Sequence, residues 1–491
     1  MIGKTIPEYI FIRAAITALR LVVPVSIVHL VASAYRRSFL ISPWISLFTI
    51  PEAFFYLFVF LPRRKTLAKP ASHAPQILTK DERQKLFALC SRTVFELPRW
   101  FLCTNILSIK RENVVDWLLW AFFSHDGKKA DEIEQWRSEI DGFISALEVK
   151  VLAGMKFEEG RNKNMDCMRL TFDPVVVLHR PLIWYIIVCF VDTYTAGRFA
   201  SLDFRHYAPK KWFQAFPPRP FTILSRASPG LHLPYWYRPH RSTIKNPVIF
   251  IHGIGIGLYP YIPFFRELVA SDPEVGILLI EILPISMRMT SMPVLPRPAM
   301  LDEFYAITSS LNITRAALAS HSYGTVVAGH IMRSQQATEG PPPPTKITAY
   351  CFIDPIPFLL HLPDITYNFL YRPPKDANEW LLWYFASRDA DVGRTLARHF
   401  FWTENVLWKE DLQGENAAVV LSGEDQIVPT AKVWEYLTEQ PQIEERWVKE
   451  NGKLEVLYFD GADHATVFER KTACTGMIEV LQRLARIDVI N

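Results

Sequence analysis

The sequence predicts an α/β fold with a mostly parallel central sheet, a helical cap insertion and an N-terminal helical, membrane-like region. Three observations carry that expectation. Short apolar runs at residues 247–251, 317–319, 347–353, 417–421 and 454–459 read as strands buried on both faces. The residues that follow them are glycines, serines, aspartates and histidines, which is turn and site chemistry. Ahead of them, two long apolar stretches precede a segment rich in helical periodicity.

The sharpest local signal is Ser320-His321-Ser322-Tyr323-Gly324. An apolar strand ends in Ser-x-Ser-x-Gly, and a helix pattern follows at once through Val326, Val327, Ala328 and Ile331. A strand–sharp turn–helix junction presents the central Ser322 at the top of a sheet, provided small residues flank it. Gly324 meets that demand; Ser320 stands where a glycine is usual.

Upstream, the strand at 247–251 runs into His252-Gly253-Ile254-Gly255-Ile256-Gly257. Glycines let the backbone approach a reacting oxygen, so the N–H groups of Ile254 and Tyr323 are the expected pair of oxyanion donors. A dinucleotide-binding loop fails on spacing, since the x-x-G ending is missing. Downstream, residues 417–421 lead into Ser422-Gly423-Glu424-Asp425, and Leu454–Phe459 leads into Asp460-Gly461-Ala462-Asp463-His464. Ser322, Asp425 and His464 are the expected nucleophile, acid and base. Asp354, after the strand at 347–353, is the competing acid; Asp425 is preferred because its turn lies one strand before the histidine.

On these residues the chain resembles the α/β-hydrolase superfamily in its lipase/esterase-like branch, from about Leu231 to the C-terminus. More loosely, it resembles the N-terminally membrane-anchored α/β-hydrolase-fold proteins of fungi. The resemblance implies a serine hydrolase cleaving carboxylic esters of lipid-like or apolar acyl groups through an acyl-enzyme, with neither cofactor nor metal. An acyltransferase on the same triad and a catalytically silent membrane scaffold are the alternatives.

Length and composition fit this reading. The chain has 491 residues, 49% of them hydrophobic, which is ample for a large core. A net charge of +4 over that length gives no case for nucleic acid. Six cysteines without a C-x-x-C motif read as free thiols. The division expected is an anchor region over 1–65, a helical region over 66–204, and a catalytic domain over 205–491 with its cap at about 355–416. Within the cap, Trp380, Trp383, Tyr384 and Phe385, with Phe400, Phe401 and Trp402, suggest an aromatic lid over the serine.

Residues 14–35 and 39–61 each reach the roughly 20 residues a bilayer span needs. Basic residues flank the second run at Arg36-Arg37 and Arg63-Arg64-Lys65, so a single span by that run is the simpler arrangement. A pair of buried helices covering the enzyme is the competing one. A third apolar run, 182–191, is too short to span and reads as a core or interfacial helix. Lys210, Lys211, Trp212 and Phe213 mark a linker or a membrane-facing patch. The expected setting is an endomembrane such as the endoplasmic reticulum, with membrane lipid or an apolar ester as the partner.

Overall fold

The computed structural model describes the chain except for residues 1–2, 72–74, 94, 104, 129, 210–213, 338–339 and 488–491. The basic–aromatic patch at 210–213 therefore lies outside the described residues.

Twelve strands are described: β1 (Arg205–Ala208), β2 (Ala215–Phe216), β3 (Arg226–Ala227), β4 (Tyr235–Arg238), β5 (Val248–Ile251), β6 (Ile277–Ile280), β7 (Met289–Thr290), β8 (Arg315–His321), β9 (Lys346–Ile353), β10 (Ala417–Ser422), β11 (Arg446–Val448) and β12 (Leu454–Phe459). Ten of them form one sheet in the order β11-β12-β10-β9-β8-β5-β6-β4-β1-β3, while β2 pairs with β7. From β12 to β6 the neighbours are parallel, and β4 joins antiparallel to β6.

The apolar runs are strands because both of their faces are covered. In β5, Ile249 and Ile251 join the core on one side of the sheet, and Val248 and Phe250 join the core on the other. β6 divides the same way, with Leu278 and Ile280 opposite Ile277 and Leu279. Pairing Ile251 with Ser320, His321 with Ile353, and Ser422 with Phe459 lines up the carboxyl ends of β5, β8, β9, β10 and β12 on one edge. That edge is where open α/β sheets place their ligands.

The region before the sheet is helical, with Lys80–Cys90 started by the capping box of Thr79 and Glu82. Its core residues Phe87, Trp117, Phe122 and Phe143 belong to the same hydrophobic cluster as Phe352 and Val419 of the sheet. The insertion between β9 and β10 is helical too, and it meets that region directly: Trp402 Nε1 donates to Ala121 O at 2.9 Å.

Among the described residues, three helices are long and apolar enough to cross a membrane: Ile6–Arg36, Pro43–Leu67 and Leu182–Ala200, with mean hydropathies of 2.0, 1.8 and 1.2. The first two pack against each other along their lengths. They fold into an antiparallel hairpin tied by His29 and Ser46 at 3.1 Å, with Arg36 and Arg37 at its tip. Both of its open ends return to the body. Asn378 N–H donates to Gly3 O at 3.1 Å, and Arg63 pairs with Asp391 at 2.7 Å. Between them the hairpin exposes Leu21, Val25, Val28, Val31, Phe48 and Phe54.

The third run is longer than the ten residues expected, because the helix continues through Asp192 to Ala200. Arg219 and Arg288, distant in sequence, each pair with Asp192 at 2.9 Å and so allow a carboxylate to continue the apolar run. The cap aromatics pack against elements far away in sequence. Trp380 lies 3.8 Å beneath Arg13 and 5.2 Å from Trp383, Tyr384 lies 3.8 Å beneath Arg180, and Phe385 meets Trp184 at 4.8 Å. These contacts join the cap to the hairpin, to Arg180 and to the third helix, and Phe385 packs in the same cluster as Ile256 of the loop after β5. Phe400 is the cap ring beside the elbow, 6.1 Å from Tyr323.

Candidate functional site

Ser322 sits between β8 and the helix Gly324–Gln336, with φ of +50°. That left-handed conformation is costly for a residue with a Cβ, and it persists because the turn is fixed from both sides. Ser322 N–H donates to Ile353 O at 3.0 Å, and Thr325 Oγ1 donates to Ser322 O at 2.5 Å. Two glycines make room for it. A Cβ on Gly324 would lie 2.2 Å from Ile251 O, and one on Gly253 would lie 2.6 Å from the Cβ of Ser322. Ser320 is tolerated where glycine is usual because it is still in the strand, buried, with its hydroxyl toward Cys351 O.

The structure brings the three separated candidates together. Ser322 Oγ is 2.9 Å from His464 Nε2, and His464 Nδ1 is 2.7 Å from Asp425 Oδ2. The second oxygen of Asp425 accepts N–H groups from Ile427 at 2.7 Å and Val428 at 2.9 Å, which fixes the carboxylate in its turn. Ser322 is 6% exposed, and the Asp425 side chain is fully buried. Burial works to lower the pKa of His464. The charge of Asp425, its hydrogen bond and the further charges of Asp354 and Asp463 outweigh it, so the imidazole is pushed up to about 9.

Asp354 is placed differently. Its two oxygens accept Ser422 N–H at 3.0 Å and Ala465 N–H at 2.9 Å, joining the turns that carry Asp425 and His464. Donor atoms of Asp354, Asp425 and His464 lie within 4.8 Å of one another, close enough for a metal. Their lone pairs and protons are nevertheless engaged with the serine, with each other and with backbone N–H groups.

Around the elbow, backbone and buried rings set the loop after β5. Gly253 N–H donates to the Tyr261 hydroxyl at 3.1 Å, and that hydroxyl meets His321 Nδ1 at 2.8 Å. His321 Nε2 faces Asp354 at 3.7 Å. Burial pushes the pKa of His321 down to about 4, which favours the neutral ring. His252 is neutral for the same reason; it meets Gly253 O at 2.7 Å and accepts Ile282 N–H at 2.9 Å. Ile254 is half-buried just beyond Gly253, and Tyr323 opens the first turn of the elbow helix, where N–H groups have no intrahelical partner. Sequence reasoning missed the roles of Tyr261, His321 and Asp354; the one available signal was a histidine inside the elbow motif itself.

Parallel strands carry the serine, the acid and the histidine in that chain order, each just past a carboxyl end. The chain has the α/β-hydrolase fold. No protein-family model and no curated protein matches the sequence. Similar solved structures include a carboxylesterase of the ammonia-oxidizing thaumarchaeon Nitrososphaera gargenis, 15% identical, over 51% of this chain and 95% of that one, with a TM-score of 0.36. Naproxen esterase from Bacillus subtilis is 10% identical over 59% of this chain and 96% of its own, with a TM-score of 0.38. A bacterial membrane phospholipase A is 11% identical over 62% and 94%, with a TM-score of 0.39. At such scores the α/β-hydrolase fold is read from this chain's own strand order and elbow.

Proposed function

We propose that this protein is a membrane-associated serine hydrolase that cleaves carboxylic esters with apolar acyl groups. The observation that carries the reading is the hydrogen-bonded line from Ser322 through His464 to Asp425 at a strained turn. Ser322 Oγ attacks the ester carbonyl as His464 Nε2 takes its proton. Asp425 holds the other ring proton and steadies the imidazolium, and His464 then protonates the departing alcohol. The N–H groups of Ile254 and Tyr323 receive the oxyanion, each worth about 3–4 kcal/mol of transition-state stabilisation in such sites. Water, activated by the same histidine, releases the acid. No step calls for a cofactor.

The loop from His252 to Gly257 carries no cation, and Phe400 adds apolar surface beside Tyr323; both favour an uncharged acyl chain. The exposed apolar hairpin supports attachment to a membrane, since a soluble monomer rarely exposes so much apolar surface. Six free cysteines, two of them in the catalytic domain, suit a body on the reducing side of an endomembrane.

A fluorophosphonate probe tests the chemistry independently of substrate. The wild-type protein should label and hydrolyse p-nitrophenyl esters, and Ser322→Ala should do neither. A wild-type protein that resists the probe defeats the reading.

A further inference from the structure

The helix Leu182–Ala200 has two apolar faces, and the structure covers only one of them. On the covered face, Trp184, Tyr185 and Val188 pack with Phe55 and Val59 of the hairpin and with Ile256 of the loop after β5. Farther along, Asp192 pairs with Arg219 and Arg288, and Ala196 and Phe199 enter the core beneath β5. Ile183, Ile186, Ile187, Phe190 and Tyr194 form the other face at three- and four-residue spacing, between 42% and 71% exposed.

Lipid is the occupant these surroundings favour. The hairpin that packs on the covered side of this helix through Phe55 and Val59 is itself apolar and exposed at Phe54, Leu57 and Phe58, so both elements present bare apolar surface. Exposed Arg64, Lys65 and Lys69 stand where the hairpin rejoins the body, at the level that anionic headgroups would occupy. The ion pairs of Asp192 and the burial of Phe199 hold the helix on the catalytic body, so it lies along the interface instead of crossing it.

The same helices bound the candidate site on two sides. Ile256 belongs to the loop whose Gly253 abuts Ser322. On the other flank, Glu424 meets Lys4 at 2.9 Å, and Asp463 accepts from Asn378, which itself donates to Gly3. Building on the hydrolase reading above, we propose that the bare face of Leu182–Ala200 rests in the bilayer interface. An ester resident in that leaflet then reaches Ser322 laterally, past Phe55, Tyr185 and Ile256, without crossing water. The substrate class is accordingly a membrane lipid whose ester carbonyl lies near headgroup level.

The test uses the full-length protein reconstituted in vesicles of phosphatidylcholine and phosphatidylserine. A fluorophore on Phe190→Cys, in a Cys103→Ser/Cys189→Ser background, should be quenched by nitroxide-bearing lipid and shielded from aqueous iodide. Quenching by iodide alone overturns the proposal, and so does shielding from both, which indicates a second copy on that face. In parallel, Ile186→Asp/Phe190→Asp should reduce turnover of a fluorogenic diacyl ester in the same vesicles by about tenfold or more. Hydrolysis of p-nitrophenyl acetate and fluorophosphonate labelling should stay unchanged. Equal losses on both esters, or no loss on either, overturn lateral entry while the hydrolase reading stands. If the wild type neither labels nor turns over any ester, the hydrolase reading itself falls and this proposal with it.

Discussion

Asp354 accepts the backbone N–H of Ala465 at 2.9 Å, one residue beyond the imidazole that meets Ser322. With Ser422 N–H on its other oxygen, it ties the two catalytic turns together from beneath. Asp354→Ala leaves two N–H groups without an acceptor, each costing about 1–3 kcal/mol when buried. The resulting misplacement of His464 should lower kcat/KM by about 100-fold. Asp425→Asn should cost about 10,000-fold in kcat, because it reverses the tautomer of His464. Asp354→Asn, which keeps an acceptor, should recover part of the activity. Steady-state kinetics on p-nitrophenyl butyrate separate the three; a loss in Asp354→Ala as large as in Asp425→Asn would exchange the two roles.

The raised pKa of His464 sets opposite pH trends for activity and stability. As a base it must be neutral, so kcat/KM should climb through about 9 instead of the ordinary 6.5. Protonated His464 stabilises the folded state. That contribution is complete below about 6.5 and is lost as pH rises through about 9. Activity should therefore increase over the range in which Tm falls. Asp425→Asn removes the neighbouring charge and should move the rising limb of its residual activity to lower pH. A limb that stays in place in this variant argues against Asp425 as the cause.

Strain at the elbow gives a prediction that needs no substrate. Ser322 holds φ of +50°, a conformation costing about 1–3 kcal/mol for a non-glycine residue. Ser322→Gly should be inactive yet raise stability by about 1 kcal/mol, whereas Ser322→Ala keeps the strain and should not. Gly324→Ala should act in reverse, since its Cβ would fall 2.2 Å from Ile251 O. A loss of about 3 kcal/mol is expected there. Chemical denaturation of the detergent-solubilised variants measures all three.

Much of the site was legible because its chemistry is local to strand ends. Ser322, Asp425 and His464 each follow an apolar run directly, so strand reading and turn reading point to the same residues. Asp354 satisfies that pattern equally well. Only the fold shows that its oxygens turn toward Ser422 and Ala465 while Asp425 takes the imidazole. The N-terminal region was legible as apolar length but not as a hairpin, because the contact between His29 and Ser46 is tertiary. Hydropathy ended the third helix at residue 191, since it cannot register that Arg219 and Arg288 neutralise Asp192. The cap aromatics advertised an apolar surface without saying which one. Trp380 and Phe385 meet Arg13 and Trp184, partners far away in sequence that hydropathy cannot name.

The ends of the hairpin should contribute unequally to stability. Lys4 and Glu424 are paired at 2.9 Å but each side chain is 52% exposed, so Lys4→Ala should change little. Arg63 pairs with Asp391, whose carboxylate is 3% exposed and also accepts from the Thr290 hydroxyl at 2.9 Å. Arg63→Ala would leave that charge buried without its cation, an arrangement that costs about 3–5 kcal/mol. Thermal unfolding in detergent should show a fall of several degrees for Arg63→Ala and almost none for Lys4→Ala. Membrane attachment should survive both changes, because the exposed residues Leu21, Val25, Val28 and Phe48 are untouched. Each variant should therefore sediment with membranes and resist carbonate extraction. Release of Arg63→Ala by carbonate would mean that the hairpin is held by its ion pair and not by lipid, and the membrane assignment would fall with it.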